Sequence, residues 1–332
     1  MTNTASTSRN TATTAPRTQK SVVRPSAGVL GHPISHSKSP ALHRAAYRAL
    51  GLDVAYDAHD VTPEALPAFM AGLDRSPETG FDWLGFSVTM PLKSAMMPLV
   101  DRYSPRAERL GFLNTVVWDG DGVSTAYNTD VDGIVESLVF AGYQREVTGG
   151  RMGILGGGGT AAAAIAAAEK LGLAGVDLFV RTPAKAAEHA DLARGFGLTP
   201  RVRLLEDFPT AASGFRAIVA TLPPRAADPT AAALASALAG SQNGAQDVET
   251  VESSAPAPLP PLLDAAYDPW PSALALAWQQ RGGQVVSGLE MLLYQAVEQV
   301  RLFTERIRPE GTEPDWSAVI AEMAAAIDLP ER

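Results

Sequence analysis

The chain has 332 residues, room for two domains at about 150 residues each, and 46 % of them are apolar. Its 27 basic residues are outweighed by 36 acidic ones, a net charge of −9, which argues against the basic face a nucleic-acid binder needs. Cysteine is absent, so disulfide scaffolds, thiolate metal centres and cysteine nucleophiles are excluded, and no apolar run approaches the roughly 18 residues that span a bilayer. These features describe a soluble cytoplasmic protein with neither a nucleic-acid nor a membrane partner.

Residues 1–24 hold seven Thr, three Ser, four basic residues and no acid. With nothing to bury, 1–26 reads as a disordered tail. Its composition also resembles a transit peptide, but it lacks an amphipathic stripe or an apolar targeting core. A strand is expected at Gly28–Leu30, followed by a loop to Ser39 and a helix from Pro40 that Gly51 closes. Ser39 is the expected N-cap before an N1 proline. Next come a strand near Val54–Tyr56, a helix opened by Thr62-Pro63, a strand at Trp83–Val88 and a short helix after Ser104-Pro105. Leu113–Trp118 and Gly122–Tyr127 read as strands around the turn Asp119-Gly120-Asp121-Gly122.

A helix over Val131–Ala141 leads to a strand at Met152–Leu155. Strands recur at Val176–Val180, Arg201–Leu204, Ala217–Ala220 and Leu262–Ala266 with helices between, an alternation that predicts parallel sheets. Gly240 to Pro258 is a Ser/Gln/Gly/Ala/Pro-rich surface insertion. From Leu289, apolar residues recur at helical spacing through Ile307.

After Met152–Leu155 stands Gly156-Gly157-Gly158-Gly159-Thr160-Ala161, which fits G-x-G-x-x-A between a strand and a helix. Gly156 permits the tight turn, Gly158 lets a pyrophosphate approach the backbone, and Ala161 keeps the helix close to the strand. The helix N-terminus then offers free N–H groups to the phosphates. The following strand ends in Arg181-Thr182, with Lys185 beyond. A guanidinium there suits the 2′-phosphate of NADP, whereas NAD enzymes place an acid at that position.

Towards the N-terminus, Ser37 and Ser39 bring hydroxyls to a helix start. Lys93 follows an apolar strand at the end where open α/β sheets place their sites. Asn114-Thr115 and Asn128-Thr129-Asp130 set small polar groups at the ends of apolar segments.

Taken together, these segments resemble shikimate dehydrogenase, over roughly Ala27 to Ile307. The resemblance rests on Ser37-Lys38-Ser39-Pro40, Val88-Thr89-Met90-Pro91-Leu92-Lys93, Asn114-Thr115, Asn128-Thr129-Asp130, the glycine-rich turn and Gly288-Leu289-Glu290-Met291-Leu292-Leu293-Tyr294-Gln295. Asp264-Ala265-Ala266-Tyr267 fits a further family segment. The resemblance implies reduction of 3-dehydroshikimate to shikimate with NADPH, a step towards aromatic amino acids. It implies that Ser37 and Ser39 hold the substrate carboxylate with Tyr267 nearby, and that Thr89, Lys93, Asn114, Asp130 and Gln295 hold the ring hydroxyls. Lys93 would be the acid/base group, paired with Asp130. Thr221, Ala265 and Gly288 join Gly156–Ala161, Arg181, Thr182 and Lys185 as expected cofactor contacts.

The expected architecture is an α/β substrate domain, 27–129 with 288–332, and a Rossmann-type NADP-binding domain, 130–287. The sequence leaves a homodimer open. Two departures stand out: Val180-Arg181-Thr182 replaces the family's N-R-T, and Val219-Ala220-Thr221-Leu222 replaces its N-A-T-S. The alternative reading is a quinate/shikimate dehydrogenase with relaxed substrate or NAD use, against which Ser39 and Arg181 both count. Ser35-His36-Ser37-Lys38 matches the S-x-x-K of acyl-transfer enzymes without its companion motifs. His32, His36 and His43 lack a metal-site spacing, so no metal is expected. A non-catalytic NADPH sensor would have no reason to keep both Lys93 and Asp130.

Overall fold

The structure, a computed structural model, describes residues 24–73, 82–242, 259–309, 311 and 313–331. The expected tail and insertion lie outside the described residues except at their inner ends. There, Pro25 already belongs to the first strand, and the helix before the insertion runs on to Gln242.

The first half of the chain contributes β1 (Pro25–Gly31), α1 (Ser39–Ala49), β2 (Ala55–Asp60), α2 (Leu66–Ala71), β3 (Asp82–Val88), β4 (Arg102–Tyr103), α3 (Pro105–Leu110), β5 (Thr115–Trp118) and β6 (Ser124–Tyr127). They build a six-stranded sheet ordered β2-β1-β3-β5-β6-β4. β1 is parallel to β2 and β3, but β5 is antiparallel to β3 and β6. The sheet is therefore mixed rather than parallel. The cause is local: Asp119 Oδ1 accepts from the N–H groups of Asp121 and Val123 at 3.0 and 2.9 Å, closing a tight hairpin with no crossover helix.

The chain then passes through α4 (Asp130–Phe140) into β7 (Arg151–Leu155), α5 (Gly159–Lys170), β8 (Gly175–Val180), α6 (Ala187–Gly195), β9 (Thr199–Leu204), α7 (Phe208–Ala211), β10 (Ala217–Ala220), α8 (Asp228–Gln242), β11 (Leu262–Asp264), α9 (Ala273–Gln280) and β12 (Val285–Ser287). These strands form a second sheet, ordered β12-β11-β10-β7-β8-β9 and parallel throughout. That is the doubly wound order, whose switch point lies between β7 and β10. α5 is buried from Ala161 through Ala168. It is apolar all round because sheet and neighbouring helices enclose it, and its alanines allow the close approach.

The chain returns through α10 (Gly288–Thr304) and ends in α11 (Trp316–Ala325). Leu293, Ala296, Val297, Val300 and Phe303 of α10 share a core with β1, α1 and α11. The sequence reading missed β12 and β4. β12 and β4 are only three and two residues long, too short for a periodicity signal.

Candidate active site

A cavity of about 350 Å³ lies where the two sheets' C-terminal edges face each other. Ser37, Ser39, Thr89, Lys93, Asn114, Asp130, Tyr267 and Gln295, eight residues distant in sequence, all line it. Thr160, Ala265 and Gly288 line it too, so the glycine-rich turn and the hydroxyl-bearing loop open on one space.

Ser39 does not cap α1. It is the helix's first residue, the N-cap position belongs to Lys38, and no side chain there bonds a helix N–H. The helix starts one residue before Pro40, and Ser37 Oγ accepts from the Ser39 N–H at 3.3 Å. Ser39, only 7 % exposed, is thus spared from capping and lines the cavity.

At the other end, Lys93 Nζ donates to Asp130 Oδ2 at 2.5 Å, and the two side chains are 22 % and 9 % exposed. Asn114 Nδ2 donates to Asp130 Oδ1 at 2.9 Å. Asn114 is itself oriented by the Thr129 N–H and the Thr115 hydroxyl, which bond its Oδ1 at 2.7 and 2.8 Å. Asp130 opens α4, where the helix dipole favours negative charge. The ammonium has three donors, so the pair leaves N–H groups to meet a ligand oxygen. Gln295 on α10 closes the group, its Oε1 3.3 Å from Asn114 Nδ2.

Behind this wall lies a buried network that the sequence reading missed. Gln299 Nε2 donates to the Asn114 carbonyl and to Thr115 Oγ1 at 3.1 and 3.0 Å. Its Oε1 accepts from Ser87 Oγ at 2.7 Å, and Ser87 accepts from the Tyr56 hydroxyl at 2.7 Å. Burial pushes the Tyr56 phenol well above its ordinary range, with Ser87 and Ser39 opposing the shift. His43 stacks on Tyr56 at 4.0 Å and bonds Gln299 Oε1 at 3.2 Å. Burial lowers His43 to about 3, so it is neutral. Gln299 sits one turn beyond Gln295 on α10, which was the one signal available.

His43 is therefore a core residue. His32 does have a carboxylate partner, Asp60 at 2.6 Å, which the sequence did not reveal because β2 brings it there. The three histidines go to different places: a core, an ion pair and, for His36, the cavity rim.

The glycine turn lies at the switch point. Gly156 has φ +115°, and a Cβ on it would come within 2.4 Å of Thr221 Oγ1, which bonds the Leu155 carbonyl at 3.0 Å. Thr221 is thus at the turn. At Gly158 and Gly159 a Cβ would meet no described protein atom within 4 Å. Protein packing does not demand glycine there, whereas a diphosphate lying against the backbone does. Gly157 is nearly as open, with Val180 Cγ1 at 3.7 Å. Ala161 is fully buried.

Arg181, Thr182 and Lys185 are exposed around the end of β8, and Arg181 lines a separate cavity of about 370 Å³. The residues present fit a dinucleotide carrying an extra phosphate. His189, missed from sequence, reaches back from α6 to the Gly158 carbonyl at 3.2 Å.

Gly288 is demanded by packing, because a Cβ there would lie 2.1 Å from the Ala265 carbonyl oxygen. That contact seats the loop bearing Ala265 and Tyr267. Asp264 pins the same loop, accepting from the Ala266 N–H at 3.2 Å and the Ser272 hydroxyl at 2.6 Å, and burial pushes its carboxyl up. Tyr267, 46 % exposed, stands at the mouth of the cavity.

The model of the shikimate dehydrogenase substrate binding domain matches residues 29–116. The shikimate dehydrogenase (NADP(+)) of Moorella thermoacetica is 36 % identical over 290 residues, covering 85 % of this chain and 88 % of its own. That of Rubrobacter xylanophilus is 36 % identical over 296 residues, covering 88 % and 93 %. Among solved structures, Mycobacterium tuberculosis shikimate dehydrogenase superposes with a TM-score of 0.71 at 35 % identity, over 91 % of this chain and 99 % of that one. The Thermus thermophilus enzyme, in complex with NADP(H) and shikimate, gives 0.66 at 30 % identity over 91 % and 99 %. With relatives 36 % identical aligned over most of both chains, this chain belongs to the shikimate dehydrogenase family.

Proposed function

We propose that the protein catalyses the reversible, NADPH-dependent reduction of 3-dehydroshikimate to shikimate. The observation that carries this reading is that the Lys93–Asp130 pair and Thr160 of the glycine-turn helix line one cavity. A proton donor and a dinucleotide cradle thereby face the same small ligand.

The cofactor, when bound, supplies the hydride. Arg181, Thr182 and Lys185 hold its extra phosphate, Gly156–Ala161 its diphosphate, and Thr221, Ala265 and Gly288 form the floor of its inner end. Ser37 and Ser39 bind the substrate carboxylate, with Tyr267 over the mouth. Thr89, Asn114 and Gln295 orient the ring hydroxyls. Negative charge grows on the carbonyl oxygen during reduction, and Lys93 meets it first as a cation and then as a proton donor. Asp130 and Asn114 hold the ammonium on that oxygen. In the reverse direction the neutral amine of Lys93 takes the hydroxyl proton. Residues 27–129 with 288–332 act as the substrate domain and 130–287 as the cofactor domain.

The test is steady-state oxidation of shikimate and quinate with NADP⁺ and NAD⁺, followed at the nicotinamide absorbance. Shikimate with NADP⁺ is expected to give the highest kcat/KM. No turnover of shikimate, or a preference for quinate with NAD⁺, refutes the assignment.

A further inference from the structure

The chain leaves the first sheet into α4 and comes back from the second sheet into α10. These two crossing helices touch directly, for a Cβ on Gly133 would lie 2.6 Å from the Met291 carbonyl oxygen. Asp130 and Asp132 are two residues apart on α4, about 200° around the helix. Asp130 faces the substrate cavity, and Asp132 faces away from it.

Asp132 Oδ2 accepts from Arg106 Nη1 at 2.9 Å, and Arg106 lies on α3 beside the first sheet. Asp132 Oδ1 accepts from Lys170 Nζ at the end of α5, beside the second sheet. One carboxylate, 13 % exposed, thus holds a cation from each half of the molecule. Glu298 of α10 joins them around a second cavity of about 480 Å³. Its carboxyl is pushed up by burial and then by the charge of Asp132. α3 makes one more tie across the same boundary: the Arg109 guanidinium stands 4.8 Å from the ring centre of Phe196, just past α6.

We propose that Asp132 is a positioning residue that ties the helix carrying Asp130 to both halves at once and so sets the spacing across which hydride passes. The proposal rests on the acid/base reading of Lys93 and Asp130. Neutralising Asp132 leaves Arg106 and Lys170 with only Glu298 as a nearby carboxylate, which loosens the tie between the halves. The lining of the substrate cavity is untouched, so each ligand still finds its own subsite. What changes is their mutual alignment, to which transfer rates respond steeply.

Asp132→Asn is the first variant. Expected are unchanged dissociation constants for NADPH alone and shikimate alone, a kcat lower by about tenfold, and a larger deuterium isotope effect with nicotinamide-deuterated NADPH. In the ligand-free protein, amide exchange in α3 and at the start of α4 is expected to quicken. Asp132→Glu restores kcat and the isotope effect, because it restores the shared charge. Arg106→Met and Lys170→Met, each cutting one tie, move kcat and the isotope effect in the same direction by less, and they decide the matter if Asp132→Asn does not fold. A wild-type isotope effect and exchange pattern in these variants, even with a lower Tm, overturns the proposal. Full activity in Lys93→Ala instead overturns the acid/base reading on which it stands.

Discussion

Removing the Lys93 ammonium tests the centre of the mechanism. Its Nζ is 2.5 Å from Asp130 Oδ2, and the side chains are 22 % and 9 % exposed, so the pair works in a largely dry setting. Loss of an acid/base group lowers the rate by roughly 10²–10⁴, equivalent to about 2.7–5.5 kcal/mol of activation free energy. The structure adds a second effect. In Lys93→Ala the Asp130 carboxylate keeps its bond from Asn114 Nδ2 at 2.9 Å but has lost its cation, and it faces the oxygen on which charge develops. Lys93→Ala/Asp130→Asn lacks that repulsion, so the double variant is expected to be no slower than Lys93→Ala and far from additive with the Asp130→Asn loss. The assay is kcat in both directions at saturating ligands, with NADPH affinity measured separately and expected to hold. Half of wild-type turnover in Lys93→Ala, or simple addition of the two single losses, refutes the paired role.

Ser39→Ala removes one hydrogen bond to a charged group, about 1.5–3 kcal/mol, and is expected to raise KM for shikimate by roughly 10- to 150-fold. Ser39→Thr keeps the hydroxyl and is expected to relax the preference towards quinate; unchanged kcat/KM ratios for the two acids refute the clamp. Arg181→Ala is expected to weaken NADPH far more than NADH, and equal loss for both means that Arg181 does not meet the 2′-phosphate. His43 is held neutral, its folded value about 3 against 6.5 when unfolded, so the unfolded chain binds the extra proton. Stability contributed at neutral pH is therefore lost as pH falls below 6.5, by on the order of 1.4 kcal/mol per unit, until the folded value is reached. Urea unfolding at pH 7 and pH 4.5 should show a smaller drop for His43→Gln than for wild type; equal drops refute the assignment.

The glycine turn was legible because its chemistry is local: a strand, four glycines and an alanine helix are consecutive in sequence. The same holds for Arg181 at the end of β8 and for the Asp119 hairpin. What could not be read depends on assembly. Ser39 looked like an N-cap because capping is the usual use of a serine before proline. Only the backbone shows the helix starting one residue early, with the Ser39 hydroxyl taking no part in the cap. Gln299, Ser87, Tyr56 and His43 come from α10, β3, β2 and α1, and each reads alone as an ordinary strand or helix residue. The mixed first sheet was missed because a legible hairpin does not reveal which strand it joins, and here β5 inserts antiparallel beside β3.

Assembly also answers a question of charge. The protein is net acidic at −9, yet on the proposed reading its cavity takes a carboxylate beside a diphosphate. Four helices begin at that cavity: Ser39 opens α1, Asp130 opens α4, Gly288 opens α10, and Thr160 is the second residue of α5. Each N-terminus favours a nearby anion by typically 0.3–1 kcal/mol, so the three not occupied by a side-chain carboxylate together supply about 1–3 kcal/mol. Asp130 takes one of these ends for itself, which fixes the carboxylate that holds Lys93. The remaining three point at ligand positions. On the proposed reading these helix starts, with Lys38 that also lines the cavity, assist the Ser37 and Ser39 hydroxyls in holding the substrate carboxylate. Lys93 therefore need not be held by the substrate carboxylate and remains available for the carbonyl oxygen. The sheets matter to this chemistry because they bring their C-terminal edges, and hence the helix starts that follow them, to one place.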